Sequence, residues 1–302
     1  MKEIVKITIS LTAVCISAAI ILGAVFTQTE HIRKEQEEKT KKQTIETLLG
    51  YGPGKQAPPS LHVFSLYRYV IATPNKERML AYVLPLKDGG HVILEIDLTG
   101  EPRRVIPLKA KEPELAEGGL RDRVVKEAIG KDYQVTFAQA LYIADEEGKR
   151  LGYVIPTVTQ GFKTFIHMMV SLDPQLTLNG IAITESEEDP GLGAEIEQPY
   201  FKNQFEGKTL EQLKNLKVVK EPLPQDYLTV LEPERAKLAG LSAAQIKETR
   251  EKFRDADIFA LTGATISSRA VLNGVQDAVR KFAYRLGVLQ AAIQKKNIQT
   301  AF

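Results

Sequence analysis

Cysteine is nearly absent from this chain. Cys15 is the single one among 302 residues. An intrachain disulfide, a cysteine-rich zinc site and an iron–sulfur cluster are thereby excluded. Histidine is almost as scarce: His31, His62, His91 and His167 are scattered and show no ligand spacing. Charge of one sign is missing too. The net charge is +2, and no basic run is interleaved with aromatics, so nothing points to nucleic acid as a partner. Hydrophobic content of 43% and charged content of 26% are those of an ordinary globular protein with a sizeable core.

One long apolar run stands out. Ile7 to Phe26 carries no charge. At ~1.5 Å per residue, such a helix matches the hydrocarbon core of a bilayer. The run exceeds the h-region of a cleaved leader and ends in Phe26-Thr27-Gln28-Thr29, so a retained anchor in membrane lipid is expected. Lys2 and Lys6 precede the span; Arg33, Lys34, Lys39, Lys41 and Lys42 follow it. Counted naively, the positive-inside rule puts the bulk of the chain in the cytoplasm, although large domains translocate despite their charge.

The expected organisation is a cytoplasmic tail at 1–6, a transmembrane helix at 7–26 and a stalk and linker at 27–60. The linker holds Gly50-Tyr51-Gly52-Pro53-Gly54 and Pro58-Pro59, without the Lys-Ser/Thr ending of a phosphate loop. A β-rich region at 61–150 follows, then a domain at 151–290 and a C-terminal tail at 291–302. Strands are predicted at Leu61–Ala72, Met79–Leu86, His91–Leu98, Arg104–Leu108, Gln134–Ala144, Arg150–Thr157, Phe165–Leu172 and Leu176–Thr184. Helices are predicted at 113–129, Tyr200–Glu206 and Ser242–Asp255, the last capped by Ser242. Val271, Leu272, Val275, Ala278, Val279, Phe282 and Leu286 recur at helical spacing and predict a long helix from about Ser267 to Leu286. The fold class is α+β, with one N-terminal membrane helix.

Two clusters carry candidate chemistry. The first is Thr262-Gly263-Ala264-Thr265, with Ser267 and Ser268 behind it. Hydroxyls there meet a helix start, whose unpaired N–H groups and dipole favour a phosphate. The bland reading is a capped helix after a turn. The second is Glu185-Ser186-Glu187-Glu188-Asp189-Pro190-Gly191-Leu192-Gly193. Its Pro-Gly-Leu-Gly segment leaves a backbone with little side-chain cover, against which a flat ring could lie, with Leu192 as an apolar contact. The bland reading is a solvated acidic loop.

Taken together, Pro190–Gly193, Glu195-Ile196, Phe201-Lys202-Asn203-Gln204-Phe205-Glu206-Gly207-Lys208 and Leu261–Ser268 resemble the FMN-binding domain family. More closely, the pattern is similar to the G subunits of Rnf-type ion-translocating electron-transport complexes and to the C subunits of sodium-translocating NADH:quinone reductases. It covers roughly Gly161 to Phe282.

The resemblance implies an electron-transfer subunit, a redox part of a larger oxidoreductase rather than a complete enzyme. It implies FMN held covalently by a phosphoester to Thr265, installed from FAD by a flavin transferase. By the same resemblance Thr262, Gly263 and Ala264 shape the attachment turn. Glu188, Gly191, Leu192 and Gly193 line the flavin, and Ser267 and Ser268 cap the helix or touch the phosphate. It implies integral membrane partner subunits, a bacterial cytoplasmic membrane, and the bulk of the chain on the extracytoplasmic side, against the lysine count. Two positions depart from the family: Phe259 stands where it usually has Asp, and Asp189 where it favours Thr. A stand-alone extracytoplasmic flavoprotein and a flavin-free anchored assembly module are the other readings.

Overall fold

The computed structural model describes residues 2–52 and 54–302. Met1 of the expected tail and Pro53 of the expected linker lie outside the described residues, as do the side chains of Lys2 and His31. The chain divides into a helical unit ending at Thr47 and a body, Leu48–Phe302.

Helix α1 runs unbroken over Lys2–Leu48. The apolar span and much of the expected stalk are therefore one helix; nothing between Phe26 and Leu48 is a glycine or proline that would break it. Among the described residues, this is the one helix long and apolar enough to cross a membrane. Its apolar side chains, Ile7, Leu11 and Leu22 among them, are exposed, as a lipid-facing surface requires.

The body is built on one sheet. Its strands are β1 (Leu61–Ala72), β2 (Arg78–Pro85), β3 (His91–Asp97), β4 (Pro102–Leu108), β5 (Gln134–Glu146), β6 (Lys149–Gln160), β7 (Phe165–Leu172) and β8 (Leu178–Glu185). Their order is β4-β3-β2-β1-β5-β6-β7-β8, and every pairing is antiparallel. The meander follows from the turn chemistry: Lys87-Asp88-Gly89-Gly90 and Thr99-Gly100 reverse the chain with positive φ at Gly89 and Gly100. The regions 61–150 and 151–290, expected as separate parts, share this sheet through the β5–β6 pairing.

The two faces alternate along each strand, as period-two geometry demands. Tyr67, Tyr69 and Ile71 face α2 (Glu112–Ala116) and α3 (Gly118–Ile129), where Leu115, Val125 and Ile129 close a smaller core. Leu66, Tyr82, Leu84 and Leu94 point the other way into the main core. That core is completed by α4 (Pro199–Lys202), α5 (Leu210–Asn215), β9 (Val218–Val219) and β10 (Ile258–Phe259). Tyr227, Val230 and Leu231 of α6 (Gln225–Leu231) make a separate small cluster with Ile246 of α8 (Ala243–Lys252), and α7 (Pro233–Leu238) follows α6. Ser242 caps α8 by accepting from the Gln245 backbone N–H.

The last helix, α9, spans Thr265–Lys295. It begins two residues before the expected start and ends nine after Leu286. Val271, Val275, Val279 and Phe282 are buried on the sheet. The stretch expected as a tail is thus partly helix, and beyond it Thr300 makes an isolated antiparallel bridge to Leu86, just after β2. Gly274 lets α9 approach β6: a Cβ there would lie 3.0 Å from Thr159 Cβ and from Met168 Cε.

Candidate flavin site

The Thr262–Thr265 turn connects β10 to α9. Gly263 takes a φ of +76°, a left-handed backbone that glycine adopts without strain. Ala264 is the N-cap and offers no side-chain acceptor. The first amide groups of a 31-residue helix are therefore left for an external partner. Thr265, the first helical residue, is half-buried; Thr262 is exposed.

Both threonines open on a groove of ≈ 660 Å³. Gly191 and Gly263 line it, with Leu223, Leu228, Phe259 and Leu261 as apolar wall and Lys220 and Arg235 as cations. Tyr200, also in the wall, donates its hydroxyl hydrogen to Glu195 Oε2 at 2.7 Å. Burial first, then this bond to Glu195, raises the Tyr200 pKa well above an ordinary phenol, so it stays protonated.

The Pro-Gly-Leu-Gly turn meets this site from the other side. Leu192 is 47% exposed, and its Cδ2 lies 2.8 Å from where a Cβ on Gly263 would be. The two sequence clusters, some seventy residues apart, are in van der Waals contact here. Gly191 carries a φ of +73° with open space around it. Gly193 is glycine for a different reason: a Cβ would sit 2.6 Å from Glu188 Oε2 and 3.0 Å from Ser267 Oγ.

Glu188, Ser267 and Ser268 stand elsewhere than on the groove surface. All three are buried beneath the turn. Ser267 Oγ donates to Glu188 Oε2, and Glu188 Oε1 accepts from the Lys163 backbone N–H at 2.9 Å. Ser268 Oγ donates to the Ala264 carbonyl at 2.9 Å and accepts from the Leu261 N–H at 3.1 Å. Both hydroxyls and the carboxylate are spent on holding the Thr262–Thr265 turn, not on lining the groove or capping α9 at its N-cap.

Phe259, where the resemblance implies Asp, lies in the groove wall and meets Tyr227 edge-on at 6.3 Å between ring centroids. Asp257 does not replace the missing carboxylate there: its Oδ1 accepts from the Lys217 N–H at 2.9 Å. Sequence reasoning gave no role to Gln204. Its buried amide accepts from the Phe259 N–H at 2.8 Å and donates to the Phe259 carbonyl at 3.3 Å. A glutamine inside Phe201–Lys208, a segment otherwise read only as part of the family pattern, was its sole signal.

FMN has a flat ring with apolar faces and a phosphate. The residues fit such a group: an apolar wall, the Lys220 cation, a helix start with free amides, and a hydroxyl at Thr265; the second cation, Arg235, is paired with Glu232.

Residues 161–280 match the family model described as FMN-binding domain. The G subunit of the proton-translocating ferredoxin:NAD(+) oxidoreductase complex of Clostridium ljungdahlii is 28% identical over 159 residues, 53% of this chain and 68% of that protein. The C subunit of the Na(+)-translocating NADH-quinone reductase of Pasteurella multocida is 32% identical over 85 residues, 28% of this chain and 33% of that one. The match to the G subunit of the Na(+)-translocating ferredoxin:NAD(+) oxidoreductase complex of Acetobacterium woodii is 27% identical and spans 54% of that protein. The crystal structure of Shewanella oneidensis NqrC superposes with a TM-score of 0.45 at 14% identity, covering 85% of this chain and 99% of that one. The groove, the turn at Thr262–Thr265 and the start of α9 all fall inside the matched segment, and residues 161–280 are an FMN-binding domain, homologous to the corresponding part of these G and C subunits.

Proposed function

We propose that this chain is an electron-transfer subunit of an ion-translocating membrane complex and carries FMN as a phosphoester on Thr265. The observation that carries the reading is the position of Thr265. It is the first residue of α9, at a helix start with no side-chain cap, and it opens on the groove. FMN, when bound, supplies one- and two-electron redox chemistry.

This chain's own residues do the holding. The first amides of α9 and Lys220 favour the phosphate end; Arg235 is engaged by Glu232, and the carboxylates Glu195 and Glu221 stand in the same lining. Leu223 and Phe259 offer apolar contact from the wall and Leu192 from the neighbouring turn, and Tyr200, its hydrogen given to Glu195, offers an acceptor oxygen. No histidine or other base within the described residues hydrogen-bonds Thr265, so its hydroxyl is not activated in the folded chain. That supports attachment by a separate transferase. In that step the Thr265 Oγ–P bond forms, the pyrophosphate bond of FAD breaks, AMP leaves, and the hydroxyl proton passes to a base on the transferase.

The N-terminal α1 supports anchoring in a bacterial cytoplasmic membrane beside integral partner subunits. We place the FMN-binding domain on the extracytoplasmic side, as the family resemblance implies. Protein matured in its own host with the transferase present should show an intact mass higher by one FMN less water, and Thr265→Ala should abolish the increment. An unmodified wild-type mass under those conditions defeats the covalent reading.

A further inference from the structure

A second cavity, of ≈ 300 Å³, lies between the sheet and the middle of α9. It shares no lining residue with the flavin groove. Thr265 and Asp277, one at each site, are twelve residues apart on the helix, ~18 Å along its axis. Leu66, Ile155, Phe282 and Leu289 make its walls. Such a volume is at the lower end of the range that takes small molecules.

What distinguishes this cavity is uncompensated positive charge. Arg68 on β1 pairs in register with Tyr82 on one side and Gln139 on the other, so the three stand in one row across the sheet. A bulge follows at Arg68/Tyr69. Arg285 descends from α9 onto the same row and donates to Gln139 Oε1 at 3.3 Å. All four residues line the cavity.

Among the described residues the Arg68 guanidinium has neither a hydrogen bond nor an ion pair, and Arg285 has no carboxylate. Burial, then the charge of Arg285, lowers the Arg68 pKa from its ordinary value. It remains a cation at neutral pH, but at a cost that an anion would relieve. The lone carboxylate of the lining, Asp277, is engaged by Arg280 at 2.6 Å and by Lys281 at 3.2 Å. Two half-buried guanidiniums on one polar row, above an apolar pocket, form a built arrangement for a planar anion with an apolar body. A carboxylate suits the guanidinium fork.

We infer that the Arg68–Arg285 cavity binds a small amphipathic monocarboxylate, its head on the two guanidiniums and its apolar body among Leu66, Ile155, Phe282 and Leu289. The site is independent of the flavin reading.

The test uses the full chain in zwitterionic lipid nanodiscs, with ligand-observed NMR titrations of four probes. These are 3-phenylpropionate, 3-phenylpropan-1-ol, 3-phenylpropylammonium and inorganic phosphate, with empty nanodiscs as the blank. The expected result is saturable 3-phenylpropionate binding at least tenfold tighter than that of the alcohol or of phosphate, and none of the ammonium. In Arg68→Gln/Arg285→Gln its Kd should rise at least tenfold. Binding of alcohol and carboxylate with equal affinity, phosphate binding as tightly as the carboxylate, or no saturable carboxylate binding overturns the inference. So does an unchanged Kd in the double variant. The probe series on the wild-type chain decides the matter even if the double variant does not fold.

Discussion

Ser267 donates its hydroxyl hydrogen to the buried carboxylate of Glu188, tying the first turn of α9 to the loop after β8. Glu188 also accepts the Lys163 N–H from the β6–β7 hairpin at 2.9 Å. One carboxylate thus fastens three segments beneath the Thr262–Thr265 turn.

Glu188→Ala strands the buried Ser267 hydroxyl and removes the partner of the backbone N–H of Lys163, a residue that is itself exposed. Leaving a buried donor unpaired costs roughly 1–3 kcal/mol, and the loss of the second, part-buried bond adds to it. The expected loss is about 3 kcal/mol by denaturant unfolding, against about 1 kcal/mol for Ser267→Ala, which leaves the carboxylate with its second partner. Equal losses would contradict the three-way fastening.

Gly263 faces two obstacles to substitution, its φ of +76° and the Leu192 Cδ2 contact at 2.8 Å. Gly191 faces only the first, having φ +73° and open space. Gly191→Ala should cost about 1 kcal/mol. Gly263→Ala should cost about 2–4 kcal/mol and lower flavin attachment, since strain and overpacking add. Adding Leu192→Ala should recover the steric part alone, bringing Gly263→Ala close to the Gly191→Ala loss beyond that of Leu192→Ala itself. A full thermodynamic cycle of unfolding free energies measures this.

Gln204 clamps Phe259 by both backbone groups, and Phe259 lies three residues before the Thr262 turn. Gln204→Leu keeps much of the volume but leaves an N–H and a carbonyl without their partner. A loss of roughly 2 kcal/mol is expected. On the proposed function, flavin incorporation, read by intact mass over time, should slow while the final mass increment is unchanged. A variant that incorporates flavin at the wild-type rate would separate the clamp from the site.

Lys208 is 2% exposed, and its Nζ donates to the carbonyls of Arg254 and Ala256, each at 2.6 Å, and of Phe253 at 3.4 Å. Burial pushes its pKa down to about 8. Between that value and about 10.5 in the unfolded chain, the unfolded state binds more protons. Stability should therefore rise with pH across the window from 8 to 10.5, by up to roughly 3 kcal/mol. The cost is fully present below pH 8. Lys208→Met should flatten that rise, and at pH 7 it strands the two close carbonyls, for a net loss of roughly 1–3 kcal/mol. Urea unfolding from pH 7 to 10.5 compares the two. A wild-type stability that falls across this window contradicts the sign.

The strands were legible because period-two apolar patterns sit between glycine-bearing turns; β1 and β7 have the predicted bounds. The start of α9 was misjudged by two residues because Ser267 and Ser268 have the chemistry of caps. Their hydroxyls instead serve Glu188 and the Ala264 carbonyl. No local rule distinguishes a serine that caps from one that reaches a carboxylate seventy-nine residues away.

By itself the amino-acid order determined the membrane-length apolar helix, the alternation that makes a sheet, and a T-G-A-T turn before an amphipathic helix. Those depend on neighbours within a few residues, where backbone geometry fixes the period. Only the tertiary structure decided which polar groups stand in a groove and which are buried beneath it. It also decided that Arg68 and Arg285, 217 positions apart in the chain, share one cavity. Burial and charge proximity are properties of packed surfaces, and packing joins residues that the chain keeps far apart.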